Sequence, residues 1–218
     1  MFSFIKKIFK SSPSEEVNIE NFIKVDLHSH LLPGIDDGSQ NMLESASLIK
    51  GFKELGYQKL ITTPHIMGDF YRNTPEIIHE QLHLLKAYLK DIEVEIEIEA
   101  AAEYYLDEWF IQMIEKGDEI LTFGNNYVLF ETSFMNKPQQ LLDTIFKMQS
   151  QGYQPVLAHP ERYTYLYDDP ELLQTLRERG VLFQINLNSL TGYYSRSAQH
   201  FAEIVAPNSS KARKITDL

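Results

Sequence analysis

Two histidines stand two residues apart at the end of an apolar run, His28 and His30 in Val25-Asp26-Leu27-His28-Ser29-His30, and Leu32-Pro33-Gly34-Ile35-Asp36-Asp37-Gly38 follows almost at once. Side chains alternate along an extended strand, so Asp26, His28 and His30 share one face while Ile23, Val25 and Leu27 take the other. Neutral imidazole is the commonest side-chain ligand for a transition metal, and a turn rich in Gly, Pro and Asp can fold a carboxylate, Asp36 or Asp37, back over the pair. A His-x-His pair alone also suits an exposed or hydrogen-bonded strand, so the rest of the chain must supply further ligands.

Five later segments end in groups of the same kind. Thr62-Thr63-Pro64-His65 ends one, Ala101-Ala102-Glu103 the next, and Val128-Leu129-Phe130-Glu131 a third. Val156-Leu157-Ala158-His159-Pro160-Glu161-Arg162 and Gln184-Ile185-Asn186-Leu187-Asn188 follow. His65 or His159 alone would suit a satisfied structural histidine. Four His and two Glu at equivalent strand ends are costly to bury together unless a cation compensates them, and that coincidence points to a metal. Glu131 closes an almost wholly apolar run, where a lone carboxylate would be expensive. Glu103 shares its periodicity with Glu93, Glu95, Glu97 and Glu99, a solvated face, so a bulge near 100–102 is needed to re-aim it. Arg162 offers a planar fork suited to a phosphoryl group. Arg72 suits a surface role equally well, and His79 and His83, four apart on a predicted helix, superficially resemble a metal pair but read as a solvated helix face. The tyrosines at 104–105, 163–167 and 193–194 could wall a pocket for an aromatic ring or simply pack.

Strand patterns fall at 22–28, 58–63, 93–102, 126–133, 154–158 and 181–187, and helix patterns at 40–55, 74–90, 105–116, 137–151, 170–179 and 195–205. Such alternation predicts βαβ units, a mainly parallel sheet and a closed or partly closed barrel, in which reactive groups collect at the carboxyl ends of strands. Asn73-Thr74-Pro75-Glu76 supplies a helix start, and Arg179-Gly180 closes the helix over 170–179.

With 218 residues, 43% hydrophobic and 23% charged, and no linker-like interior, the chain suits one domain over 22–205, with an arm over 1–21 and a polar tail over 206–218. The absence of cysteine excludes thiolate nucleophiles, disulfides and Cys-based zinc sites, and fits a cytoplasmic setting. A net charge of -11 argues against a nucleic-acid partner. Met1 to Lys10 mixes apolar and basic residues but forms neither a secretory signal nor a membrane span; weak membrane association of the arm is the most it suggests.

The strings Asp26-Leu27-His28-Ser29-His30, Leu32-Pro33-Gly34-Ile35-Asp36-Asp37-Gly38, Thr63-Pro64-His65, Glu131 and His159-Pro160-Glu161-Arg162-Tyr163 resemble the PHP (polymerase and histidinol phosphatase) superfamily. More narrowly, over about 22–194, they resemble its capsule-type bacterial protein-tyrosine phosphatases, the CpsB/CapC or YwqE type. The resemblance implies a distorted (β/α)7-type barrel and a centre of two to three divalent ions, manganese or iron, with zinc, cobalt or magnesium as alternatives. It makes His28, His30, Asp37, His65, Glu103, Glu131 and His159 the metal ligands, Glu131 a bridge, and Arg162 the phosphate-holding group. The implied substrate is the phosphotyrosine tail of a tyrosine kinase that regulates capsule or exopolysaccharide export. Hydrolysis by metal-activated water needs no cysteine. Family members end in a further strand carrying Asp-x-His, whereas after Asn188 this sequence has only His200 and Asp217. The expectation is therefore a barrel lacking its last βα unit and a weakened centre. Two other functions follow from the same residues: a small-molecule phosphoesterase of the histidinol-phosphatase type, and a binding or regulatory protein that retains the fold with reduced catalysis.

Overall fold

The computed structural model describes residues 23–206. The arm over 1–21 and, apart from Ala206, the tail over 206–218 lie outside the described residues.

Strands and helices alternate. The strands are β1 (Val25–Ser29), β2 (Lys59–Thr62), β3 (His65–Ile66), β4 (Glu97–Ala100), β5 (Glu103–Tyr105), β6 (Tyr127–Glu131), β7 (Gln154–Ala158) and β8 (Leu182–Gln184). The helices are α1 (Met42–Glu54), α2 (Pro75–Asp91), α3 (Glu108–Lys116), α4 (Leu141–Ser150), α5 (Thr164–Tyr167), α6 (Pro170–Glu178) and α7 (Arg196–Val205). Every ladder between named strands is parallel, in a three-stranded sheet ordered β1-β2-β4 and a five-stranded sheet ordered β3-β5-β6-β7-β8. Two interrupted strands link the sheets: β2 passes into β3 through Thr63-Pro64, and β4 into β5 through Ala101-Ala102. Across these breaks the backbone stays tied, Ala101 N donating to Thr62 O (2.9 Å) and Glu103 N to Pro64 O (3.0 Å). The chain is thus a mixed α/β structure of parallel sheets. Among the described residues no ladder joins β8 to β1. The two meet through side chains, since Val25 and Leu27 of β1 and Leu182 of β8 pack on one small inner cluster of Ile61, Ala101, Phe123, Leu129, Val156 and Ala158.

Helix starts follow local chemistry. Asn41, Thr74, Asp107, Asp169 and Ser195 each accept a hydrogen bond from a backbone N–H of the first turn, and Pro75 and Pro170 begin α2 and α6, where no amide partner is lost. Asp107 does more: its second oxygen accepts from Gly68 N (2.8 Å) and ties the loop after β3 to the start of α3.

Several boundaries depart from the sequence reading; the helix expected from 105, for one, begins at Glu108, Tyr105 being the last residue of β5. The strand expected from residue 93 begins at Glu97, because Val94 N donates back to Leu89 O (2.9 Å) and Glu93 adopts a left-handed φ of 57° on leaving α2. The helix expected from 137 begins at Leu141, since a residue before proline disfavours helical geometry and Lys137 precedes Pro138. The strand expected to 187 ends at Gln184, and a 3-10 turn over Leu187–Thr191 replaces its end. Buried Glu161 holds that turn, accepting from Asn186 N (3.0 Å) and Ser189 Oγ (2.6 Å).

Candidate metal centre

The strand ends converge on Glu103, which is 1% exposed. One of its oxygens lies 3.0 Å from His28 Nε2, 3.4 Å from His30 Nε2 and 3.3 Å from His65 Nδ1; the other lies 2.9 Å from His159 Nε2. Glu131, also buried, lies 3.3 Å from His65 Nδ1 and 3.7 Å from His159 Nε2. Glu103 reaches this position because the strand is broken at Ala101-Ala102, both fully buried; Glu97 and Glu99 before the break are exposed and pair with Lys59. The expected change of direction near 100–102 is the feature that separates the solvated glutamates from the buried one.

Outer hydrogen bonds orient the imidazoles. Gln184 Oε1 accepts from the backbone N–H of His159 (3.2 Å), which identifies it as the amide oxygen; it therefore also accepts from His28 Nδ1 (2.8 Å). Asp36 accepts from His30 Nδ1 (2.7 Å), Gly38 N (2.9 Å) and His65 N (3.0 Å). With Nδ1 committed on both rings, Nε2 of His28 and of His30 faces Glu103. This is the arrangement by which carboxylates and amides fix metal-ligating histidines. Asp37 differs from its neighbour: its side chain is 64% exposed, with Oδ1 3.5 Å from His65 Nε2. Tyr71 stacks on His65 at 5.5 Å. His159 occupies left-handed backbone space (φ 32°), an uncommon geometry for a residue before proline, and a 3-10 turn follows at Pro160–Arg162.

Three overlapping triads place their ligand atoms within 4.8 Å of one another: His28, His30 and Glu103; His30, Asp37 and His65; and His65, Glu103 and Glu131. These residues fit divalent cations. The donors are imidazole nitrogens and carboxylate oxygens, and Nδ1 of His65 is buried yet makes no hydrogen bond, despite two carboxylates nearby. The protonation pattern expresses the same unmet need for charge. Burial and the neighbouring Glu103 lift Glu131 to about 8, and burial pushes His65 and His159 down. Burial opposes charge on Glu103 and His30 too, but there the partners win. The charge of His28 and hydrogen bonds from His159, His28 and His30 hold Glu103 well below the carboxylate range, and Asp36 and Glu103 raise His30 to about 10.

Arg162, on the turn after His159, carries charge felt by both Glu131 and His159. Among the described residues its side chain has no ion pair or hydrogen bond; it lies over the rings of Phe134 and Tyr194. Arg72 is exposed and donates to Gly68 O (2.6 Å), and His79, His83 and His200 are exposed. Of the tyrosines, Tyr104 and Tyr163 are fully buried core, whereas Tyr167 and Tyr194 line a cavity of about 310 Å3 with Arg162. Sequence reasoning left Gln184 and Phe134 without a role. Gln184 was accessible to the strand-end rule that found the histidines; Phe134 follows β6 in a loop with no such marker.

Comparisons with known proteins identify the family. The family model for capsular polysaccharide synthesis, CpsB/CapC, matches residues 24–210. The tyrosine-protein phosphatase YwqE of Bacillus subtilis (strain 168) is 28% identical over 178 residues, covering 82% of this chain and 70% of that protein. The tyrosine-protein phosphatase CpsB of Streptococcus pneumoniae is 26% identical over 162 residues, covering 74% and 67%. A solved structure from the work on YwqE and CpsB, described as unique metal-dependent tyrosine phosphatases, superposes with a TM-score of 0.75 at 28% identity, covering 82% of this chain and 72% of that one. With convergent strand ends and a family model spanning most of its length, this chain belongs to the CpsB/CapC family of capsular polysaccharide synthesis.

Proposed function

We propose that this protein is a metal-dependent protein-tyrosine phosphatase acting on a phosphotyrosine tail of a capsule-regulating tyrosine kinase in the cytoplasm. The observation that carries the reading is the set of three overlapping triads beside an arginine whose side chain, among the described residues, makes no ion pair. His28, His30, Asp37, His65, Glu103, Glu131 and His159 would hold two to three ions; the family resemblance points to manganese or iron, and mixed imidazole and carboxylate donors suit either. Divalent ions held there supply Lewis acidity toward phosphoryl oxygens and acidify water. Arg162 holds the phosphate by its planar fork. Glu103 belongs to two of the triads and Glu131, the bridge that the resemblance implies, to one, while Asp36 and Gln184 keep the imidazoles of His30 and His28 aimed. The domain over 22–205 is read as a distorted (β/α)7-type barrel, of which the described residues supply six strands when β2–β3 and β4–β5 each count as one; the similarity to the YwqE and CpsB structure supports this reading.

The deciding experiment is a substrate panel on purified protein with manganese, iron, zinc, cobalt or magnesium, or with EDTA. Phosphotyrosine peptide hydrolysed with manganese, silenced by EDTA and favoured over phosphoserine peptide and histidinol phosphate is the expected result. Preference for histidinol phosphate, or no turnover with any of the divalent metals, overturns it.

A further inference from the structure

We infer that Phe134 and Tyr194 are positioning residues that set the orientation of Arg162, an inference that rests on the phosphate-holding role of that arginine. The guanidinium carbon lies 4.4 Å from the centroid of the Phe134 ring and 4.9 Å from that of Tyr194, over both rings. A guanidinium donates hydrogen bonds only in its plane, so aromatic rings can hold its face by cation–π attraction while leaving its edge free for an anion. Since no hydrogen bond or ion pair tethers the Arg162 side chain among the described residues, these rings are what fix an otherwise flexible group.

The three parts come from three separate loops, after β6, β7 and β8, so the cradle exists only when the fold is complete. Each ring is itself anchored to the centre. Phe134 meets His159 edge-on at 5.9 Å and stacks on Tyr163 at 5.9 Å. Tyr194 Oη accepts from Asn186 Nδ2 (3.4 Å), and Asn186 Oδ1 accepts from Gln184 Nε2 (3.0 Å), the same glutamine that orients His28. Both rings are partly exposed, 39% for Phe134 and 41% for Tyr194, so neither is needed chiefly as core.

The test measures binding of inorganic phosphate to manganese-loaded protein by calorimetry, together with KM and kcat on a phosphotyrosine peptide. Tyr194→Ala should weaken phosphate binding and raise KM about three- to tenfold, the range of one cation–π contact, with kcat changing less and metal content intact. Tyr194→Phe keeps the ring and should stay within about twofold. Phe134→Leu should resemble Tyr194→Ala. In an Arg162→Ala background, Tyr194→Ala should have no further effect, which a merely structural role would not produce. Equal losses in Tyr194→Phe and Tyr194→Ala, or an undiminished Tyr194→Ala loss in the Arg162→Ala background, overturn the cradle. Silent ring variants beside a defective Arg162→Ala overturn the cradle alone; normal phosphate binding by Arg162→Ala overturns the phosphate role and the cradle with it.

Discussion

At the scale of single residues, adjacent aspartates in one turn have divergent environments. Asp36 is buried and accepts three hydrogen bonds, two of them linking His30 to the backbone of His65, while Asp37 exposes most of its side chain. Two aspartates side by side in a turn are equivalent to any rule based on composition, and only the path of the turn over the histidines distinguishes them. Gln184 is the other residue whose role arises from placement. Replacing it by Leu removes the acceptor from His28 Nδ1 without changing the partly exposed site greatly in size. Metal affinity of Gln184→Leu should fall about 10- to 100-fold, as for other losses of an outer partner, with a circular dichroism spectrum like that of the parent. Competition titration against a chromophoric chelator measures this, and unchanged affinity would show that the His28 orientation is set elsewhere.

At the scale of elements, the helix starts were legible because a cap residue and a proline act within a few residues of chain. The break between β4 and β5 was legible only as a need: periodicity put Glu103 with solvated glutamates, and something had to turn the chain. The turn between β1 and α1 is as consequential. A Cβ at Gly38 would overlap the Cβ and carbonyl oxygen of His30 and approach Asp36 Oδ1 to 3.0 Å. Because backbone is involved, side-chain repacking cannot relieve the overlap. Gly38→Ala should therefore destabilise the fold by about 1–3 kcal/mol and also reduce bound metal, since the turn carries Asp36 and Asp37. Thermal unfolding and metal analysis check the two effects together; a stable variant with full metal content would contradict the account.

At the scale of the whole molecule, the centre concentrates charge that the protein alone balances imperfectly. In metal-free protein Asp36 and Glu103 raise His30 to about 10 against the opposing effect of burial, so its contribution to stability is complete below the ordinary histidine value of 6.5 and is lost as pH rises toward 10. Burial lifts Glu131 from 4.5 to about 8, so its ionisation costs the fold stability over that interval. Both effects run the same way. Asp36 and Glu103 are held low, and their contributions are lost only under acid, as pH falls below the ordinary carboxylate range. Metal-stripped protein should accordingly lose stability between about pH 6.5 and 9, and manganese should raise the melting temperature more at pH 8.5 than at pH 6. Scanning calorimetry with EDTA or manganese at the two pH values tests this, and equal increments would count against it. No helix of the described residues is long and apolar enough to cross a membrane.

By itself the sequence determined the order of strands and helices, the residue types at the strand ends and the absence of a cysteine route, because periodicity, caps and composition act locally along the chain. Tertiary structure decided which groups meet. The convergence of His28, His65, Glu103, Glu131 and His159, the division of roles between Asp36 and Asp37, and the rings over Arg162 all join residues far apart in sequence or separated by one turn's path. Such contacts depend on how parallel strands stack their ends in register, and that register is a property of paired segments, which no single segment contains.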